Sequence, residues 1–198
     1  MYKKLGEQLR KPSGLSGVIV SKMMDSWNKE FYKKIIFNLD IKKDDKIFEI
    51  GYGPGLGINL IAKMNIGCTI SGLDYSELMQ KKAIKRNQKF VDGGIVHLKY
   101  GDILFYEVGN EKFHKVFCVN VIYFWNDLNK VFQKIYSMLS DGGMYSIYMD
   151  HEKDFEKLKF TKDFCRYSIE NVESELKGVG FTKVEYILDK GYFIKAIK

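Results

Sequence analysis

Short apolar runs alternate along this chain with stretches whose apolar residues recur every three or four positions. Strand-like runs fall near residues 46–50, 68–73, 95–99, 114–119 and 143–149. Helical periodicity falls near 56–65, 76–90 and 127–139, between the strands. The strands are mostly continuous apolar runs rather than in–out alternations, which is the pattern of a parallel sheet covered on both faces. Ser168 followed by Glu170 reads as a capped helix start, and Gly178-Val-Gly180 as its stop. Phe181–Leu188 and Gly191–Ile197 then read as two strands joined by the short Asp189-Lys-Gly turn, close enough to pair antiparallel. The pattern predicts an α/β fold: a seven-stranded, mostly parallel sheet ending in an antiparallel C-terminal hairpin, with helices on both faces.

Residues 1–45 precede the first strand. Leu15, Val18, Ile19, Met23, Trp27, Phe31, Ile35 and Leu39 lie at helical spacing and predict an amphipathic helix with those residues inward. Such a helix closes a sheet edge, or forms a lid whose Met23, Trp27 or Tyr32 walls a pocket. A third reading sets Lys22, Lys29, Lys33 and Lys34 against acidic lipid, a membrane-surface role ranked below the other two. Arg10-Lys-Pro-Ser-Gly14 reads as a positive loop, suited to an anionic substrate group or to a plain linker. One domain is expected over 1–198, a helical cap at 1–45 on a core at 46–198.

Composition adds limits. At 198 residues, 45% hydrophobic and 29% charged, the chain is long enough for one buried core. The start, Met1-Tyr-Lys-Lys, lacks the apolar segment of a secretory signal. Cys68, Cys118 and Cys165 are scattered, with neither zinc spacing nor a disulfide framework, so a reduced, cytoplasmic protein without a metal site is expected. The net charge of +7 is densest at Lys81–Lys89, where a helix presents most of it to solvent, and this disfavours a nucleic-acid surface.

The candidate chemistry begins at Lys46-Ile-Phe-Glu-Ile-Gly-Tyr-Gly-Pro-Gly-Leu-Gly57, a strand running into a loop with glycine at every second position. Such a loop brings bare backbone against a ligand at the carboxyl end of a strand. It is not a dinucleotide fingerprint. The sixth place of G-x-G-x-x-G is Leu56 counted from Gly51 and Ile58 counted from Gly53. Glu49, two residues before the first glycine, suits a cationic ligand or the loop's own amides better than a pyrophosphate. Asp74 ends the second strand 23 positions after Gly51, close to the spacing at which an acid takes ribose hydroxyls.

These residues, Glu49-x-Gly51-x-Gly53-x-Gly55, resemble the first motif of the class I S-adenosylmethionine-dependent methyltransferases. The match continues in order through Cys68–Ser76, through Val96–Ile103, through Val116–Asn120, and through Leu139–Tyr148 with its Gly142-Gly143 turn. The antiparallel end of the sheet is likewise that of the methyltransferases. The resemblance implies S-adenosylmethionine as donor and S-adenosylhomocysteine as product. Gly51, Gly53 and Gly55 would pass close to the donor's methionine part, with Glu49 near its amino group or supporting the loop from behind. Asp74 would accept from the ribose hydroxyls and Tyr75 would flank the adenine. Asp102 would accept from the adenine amino group, Ile103 would cover a ring face, and Asn120 would face the sulfonium.

On the acceptor side, Tyr123, Phe124 and Trp125 could wall an apolar or aromatic substrate, and their rings suit a cation. The Asn/Asp-Pro-Pro-Tyr-like motif of adenine and glutamine methylation is absent from Asn120–Asn126. His97 and His114 lie in strands. His151, after the fifth strand, is the candidate general base, with Tyr123 the other candidate catalytic side chain. The leading expectation is methyl transfer to a small molecule. A large acceptor, RNA or a lipid head group, would instead gather Lys and Arg around the pocket mouth. A non-catalytic adenosyl-ligand binder would have its pocket plugged by residues 1–45. The oligomeric state is not legible.

Overall fold

The computed structural model describes residues 2–198, without the side chains of Tyr2, Phe155 and Glu156. Seven strands form one sheet: β1 (Lys46–Ile50), β2 (Thr69–Asp74), β3 (Val96–Tyr100), β4 (Phe113–Val119), β5 (Leu139–Asp150), β6 (Thr182–Leu188) and β7 (Gly191–Ile197). Their order is β3-β2-β1-β4-β5-β7-β6. The first five are parallel, and β7 inserts antiparallel between β5 and β6, as the apolar pattern predicts. The order reverses between β1 and β4. The carboxyl ends of those strands therefore diverge into a crevice, where α/β sheets bind ligands.

The helices are α1 (Tyr2–Arg10), α2 (Gly14–Asn38), α3 (Leu56–Met64), α4 (Glu77–Asp92), α5 (Leu128–Met138), α6 (Glu152–Glu156) and α7 (Ile169–Val179), with 3₁₀ turns at Ile103–Phe105, Ile122–Phe124 and Lys159–Thr161. Two apolar cores lie on opposite sides of the sheet. One joins α5 and α7 to the sheet through Val131, Phe132, Ile135, Val172 and Leu176. The other joins the end of α2 and α3 through Ile35, Ile36, Leu39, Ile58 and Ile61. Four helices start on side-chain caps or turn formers placed by sequence. Ser76, Asp127 and Ser168 accept from the amides of Met79, Lys130 and Asn171, and left-handed Gly55 opens α3.

Two expectations need correction. The buried stripe of α2 is Gly17, Val20, Ser21, Tyr32, Ile35 and Ile36, whereas Leu15, Ile19 and Trp27 are exposed. The reason is close approach by small residues. A Cβ on Gly17 would stand 2.8 Å from Leu78 Cδ2 and 2.9 Å from the Pro12 carbonyl carbon, so the helix turns its small face, not its large apolar one, toward α4. The turn expected at 139–143 is also absorbed into β5, because Gly142 and Gly143 pair with Lys198 at the chain's other end.

Candidate functional site

A cavity of about 450 Å³ opens at the carboxyl ends of the strands, within the ordinary range of ligand pockets. Its floor is the glycine loop. Gly51 has φ +71°, and a Cβ there would stand 2.4 Å from Val121 Cγ2, so only glycine lets β1 turn this close beside β4. Gly53, at φ +53°, faces open space. The nearest atom to a Cβ there is Met24 Cε at 3.9 Å, and that space belongs to the cavity. Gly55 serves the scaffold instead. Its Cβ would meet Ala83 and the Asn87 amide at 2.8 Å, and it does not line the cavity. Buried Asn87 holds the loop from behind, donating to the Gly55 and Ala83 carbonyls and accepting from Asn59 Nδ2.

Asp74 sits at the end of β2. Its Oδ2 accepts from the Gly53 amide at 2.7 Å and its Oδ1 from the Ser76 amide at 2.8 Å. Burial pushes its acid up to about 6, against the pull of those two amides. A carboxylate has about four acceptor positions, so two remain for a ligand. Asp102 caps the following 3₁₀ turn by accepting from the Leu104 amide at 2.9 Å. It lines the cavity with Ile103 and Tyr75. The Arg10–Gly14 loop comes to this end too. Ser76 Oγ donates to the Pro12 carbonyl, Lys11 Nζ stands 4.3 Å from the centre of the Tyr75 ring, and Arg10 lines the cavity.

Glu49 is not in the cavity wall. It is wholly buried beneath the loop, where Oε1 accepts from Tyr32 Oη at 2.8 Å. Among the described residues its Oε2 has no hydrogen bond. Burial pushes the Glu49 acid up to about 8, with the Tyr32 hydroxyl pulling the other way and Asp74 adding to the rise. Glu49 therefore lies behind the loop and outside the cavity lining.

The roof is α2. Met24, Asp25, Trp27, Asn28, Phe31 and Tyr32 all line the cavity. Three polar ties along one face of the helix hold it down. Asp25 takes a two-pronged ion pair from Arg86 of α4, Asn28 Oδ1 accepts from Asn120 Nδ2 at 3.0 Å, and Tyr32 donates to Glu49. Phe31 stacks on Tyr148 of β5 at 3.9 Å. Beside it, Leu9 of α1 and the 158–164 segment complete the enclosure with Leu158, Phe160, Thr161 and Phe164. A Cβ on Gly6 would stand 2.4 Å from the Phe160 carbonyl oxygen, so α1 and this segment are in close contact.

Asn120 ends β4 in the left-handed region, φ +56°, a conformation that Asn tolerates better than other side chains. It accepts at Oδ1 from Tyr123 Oη at 3.1 Å. Tyr123 Oη in turn accepts from the Asp150 amide, and burial pushes the phenol far above its ordinary range. Tyr123 lines the cavity as a fixed, neutral phenol that orients Asn120 and β5. His151 lies outside the cavity lining. Its ring stacks on Tyr192 at 5.4 Å and its Nδ1 accepts from the Lys153 amide, because the chain turns into α6 directly after β5.

The structure thus brings Gly51, Gly53, Asp74, Tyr75, Asp102, Ile103, Asn120 and Tyr123 together around one cavity, and places Glu49, Gly55 and His151 outside its lining. Sequence reasoning missed Asp150. It lies at the carboxyl end of β5, lines the cavity and accepts at Oδ1 from Tyr148 Oη at 2.8 Å, and burial raises its acid. The strand-end logic that singles out Asp74 and Asp102 applies to it equally. Asp25, Asn28 and Arg86 left no local signal, because their roles arise from contacts between distant elements. Among the described residues no cluster of metal-ligating side chains occurs, and no helix is long and apolar enough to cross a membrane.

Comparison with known proteins agrees with this geometry. Residues 47–143 match the family model of a methyltransferase domain. The chain is 30% identical over 168 residues to YdaC of Bacillus subtilis (strain 168), described as an uncharacterized methyltransferase, covering 85% of this chain and 88% of that one. The N-methyltransferase NodS from Bradyrhizobium japonicum WM9 shares the fold at a TM-score of 0.70 and 16% identity, over 88% of this chain and 97% of that one. Phosphoethanolamine N-methyltransferase 2 of Haemonchus contortus, solved with phosphomonomethylethanolamine and S-adenosylhomocysteine, shares it at 0.74 and 20% identity, over 85% of this chain and 52% of its own.

Proposed function

We propose, for a chain that belongs to the class I S-adenosylmethionine-dependent methyltransferases, that the methyl acceptor is a small molecule received inside the cavity. The observation that carries this reading is the roof. Helix α2, Leu9 and the 158–164 segment enclose the space beside the glycine loop, and Arg10 is the one basic side chain among the described lining residues. A site for RNA or a lipid head group would set several Lys and Arg around its mouth. Here the lysines of α4 lie outside the cavity lining, and Arg86 of the same helix is taken up by its ion pair with Asp25.

The residues present fit the donor. Gly53 leaves open space where any side chain would intrude, and Asp74 and Asp102 keep acceptor positions at the ends of adjacent strands. We assign Asp74 to the ribose hydroxyls, Asp102 and Ile103 to the adenine, and Gly51 and Gly53 to the methionine part. Bound there, the donor supplies an electrophilic methyl group on a cationic sulfur. The protein's contribution is alignment and exclusion of water: Asn120 and Tyr123 fix the floor between donor and acceptor, and the aromatic roof keeps solvent out.

The test pairs calorimetry with acceptor screening. S-adenosylmethionine and S-adenosylhomocysteine should bind with micromolar or tighter affinity and NAD should not. Label from the donor should pass to a member of a panel of small amines, phenols and thiols. Transfer to RNA or to lipid vesicles, with the panel inert, would overturn the small-molecule reading.

A further inference from the structure

The cavity's charges do not follow those of the chain. The protein carries +7, yet among the described residues its cavity is lined by four acids, Asp25, Asp74, Asp102 and Asp150, against the single base Arg10. Three of the four are accounted for. Asp25 is neutralised by the two-pronged Arg86 pair, and Asp74 and Asp102 cap backbone amides at the donor end. Asp150 is different. Among the described residues it has no ion pair, its Oδ1 takes one neutral hydroxyl bond from Tyr148, and the charge bearing on it is another acid, Asp154. A largely buried carboxylate without a cation is costly unless a ligand supplies one.

Its surroundings suit a particular cation. Phe31, stacked on Tyr148, lies over the tyrosine that bonds Asp150, and Tyr123 bonds the Asp150 amide. Phe124 and Phe164 meet edge to face at 4.9 Å beside Tyr123, and both line the cavity. Aromatic faces with one carboxylate among them favour an ammonium group on an apolar skeleton.

From this we infer that the acceptor is an amine, docked as its ammonium against the Asp150 carboxylate with its apolar part among Phe31, Phe124 and Phe164. This inference rests on the small-molecule reading and narrows it. The reaction balances with Asp150 in place. The docked ammonium gives one proton to the carboxylate, the freed nitrogen lone pair bonds to the methyl carbon, and the carbon–sulfur electron pair stays on sulfur, leaving a neutral thioether. The methylated ammonium departs and the proton passes from Asp150 to solvent. Burial, which raises the Asp150 acid, makes the carboxylate a better acceptor for that proton.

The test uses the full chain saturated with S-adenosylhomocysteine and probes of matched shape: phenethylamine and cyclohexylmethylamine beside the alcohols of the same skeletons. The ammonium probes should bind, the alcohols should not, and Asp150→Asn should weaken the ammonium probes about 10- to 100-fold. The same variant should bind S-adenosylhomocysteine like the wild type, since Asn still accepts from Tyr148. Equal binding of alcohols and amines, failure of every ammonium probe, or indifference to Asp150→Asn overturns the inference. Turnover of a phenol or thiol would sink it while leaving the small-molecule reading intact. Turnover of RNA or lipid alone would bring down both.

Discussion

The two ends of the cavity are built differently. The end proposed for the donor is made of strand ends: the Gly51–Gly55 loop, Asp74 at the end of β2 and Asp102 after β3, each a few residues from an apolar run, with both acids bonded to backbone amides nearby. The end proposed for the acceptor is made mostly of side chains from α1, α2 and the 158–164 segment, which meet only in the folded chain, with Asp150 at the end of β5 as its strand-end exception. Backbone architecture defines the first and tertiary packing the second. The first should therefore be intolerant of point changes that leave the fold intact, and the second adaptable.

The largest effect is expected at the donor end. Asp74→Ala removes the proposed ribose acceptor and the partner of two amides, and should weaken S-adenosylhomocysteine about 100-fold or more by calorimetry. An unaltered affinity would show that the donor end does not depend on its acids. Next comes pH. Glu49 and Asp74, raised to about 8 and about 6, hold protons in the folded chain that they lose in the unfolded one between about pH 4 and 8. The free protein should lose stability, roughly a few kcal/mol, as pH rises through that window. Urea titrations of Glu49→Gln should show the upper part of the loss flattened.

A smaller change is expected from Tyr32→Phe, which leaves both oxygens of Glu49 without a hydroxyl partner. It should cost about 1–3 kcal/mol in urea unfolding. The smallest effect belongs to the rim of the acceptor end, away from Asp150. Trp27→Ala, at a half-exposed position on the cavity rim, should raise the acceptor KM several-fold and leave donor affinity unchanged. If Trp27→Ala disturbed the donor as strongly as Asp74→Ala, the division into two ends would not hold.

This division also explains what could be read from the sequence. Asp74 and Asp102 were legible because a strand end, a turn and an acid all lie within a few consecutive residues. The sheet was legible because its apolar runs are continuous and its hairpin turn is short. The orientation of α2 was not. Leu15, Ile19 and Trp27 have the spacing of a buried face, but Gly17 and Ser21 decide which side can approach α4. Small residues give no periodic hydrophobic signal. Asp25 and Arg86 are 61 residues apart, and neither carries a mark of the other. His151 has the mark of a rare titratable residue just after a strand, but its neighbour Asp150, the last residue of β5, is the one that lines the cavity.

Asp25, Asn28 and Tyr32 stand one helical turn apart, each fastened to a different element, α4, the end of β4 and β1. A stiff rod fastened at three points cannot release one and keep the others. Ligand traffic should accordingly be governed by a single slow clock, the joint release of all three, rather than by fraying from one end. Hydrogen exchange in the α2 amides between residues 24 and 36 should then proceed at one common rate, slowed together when S-adenosylhomocysteine is bound.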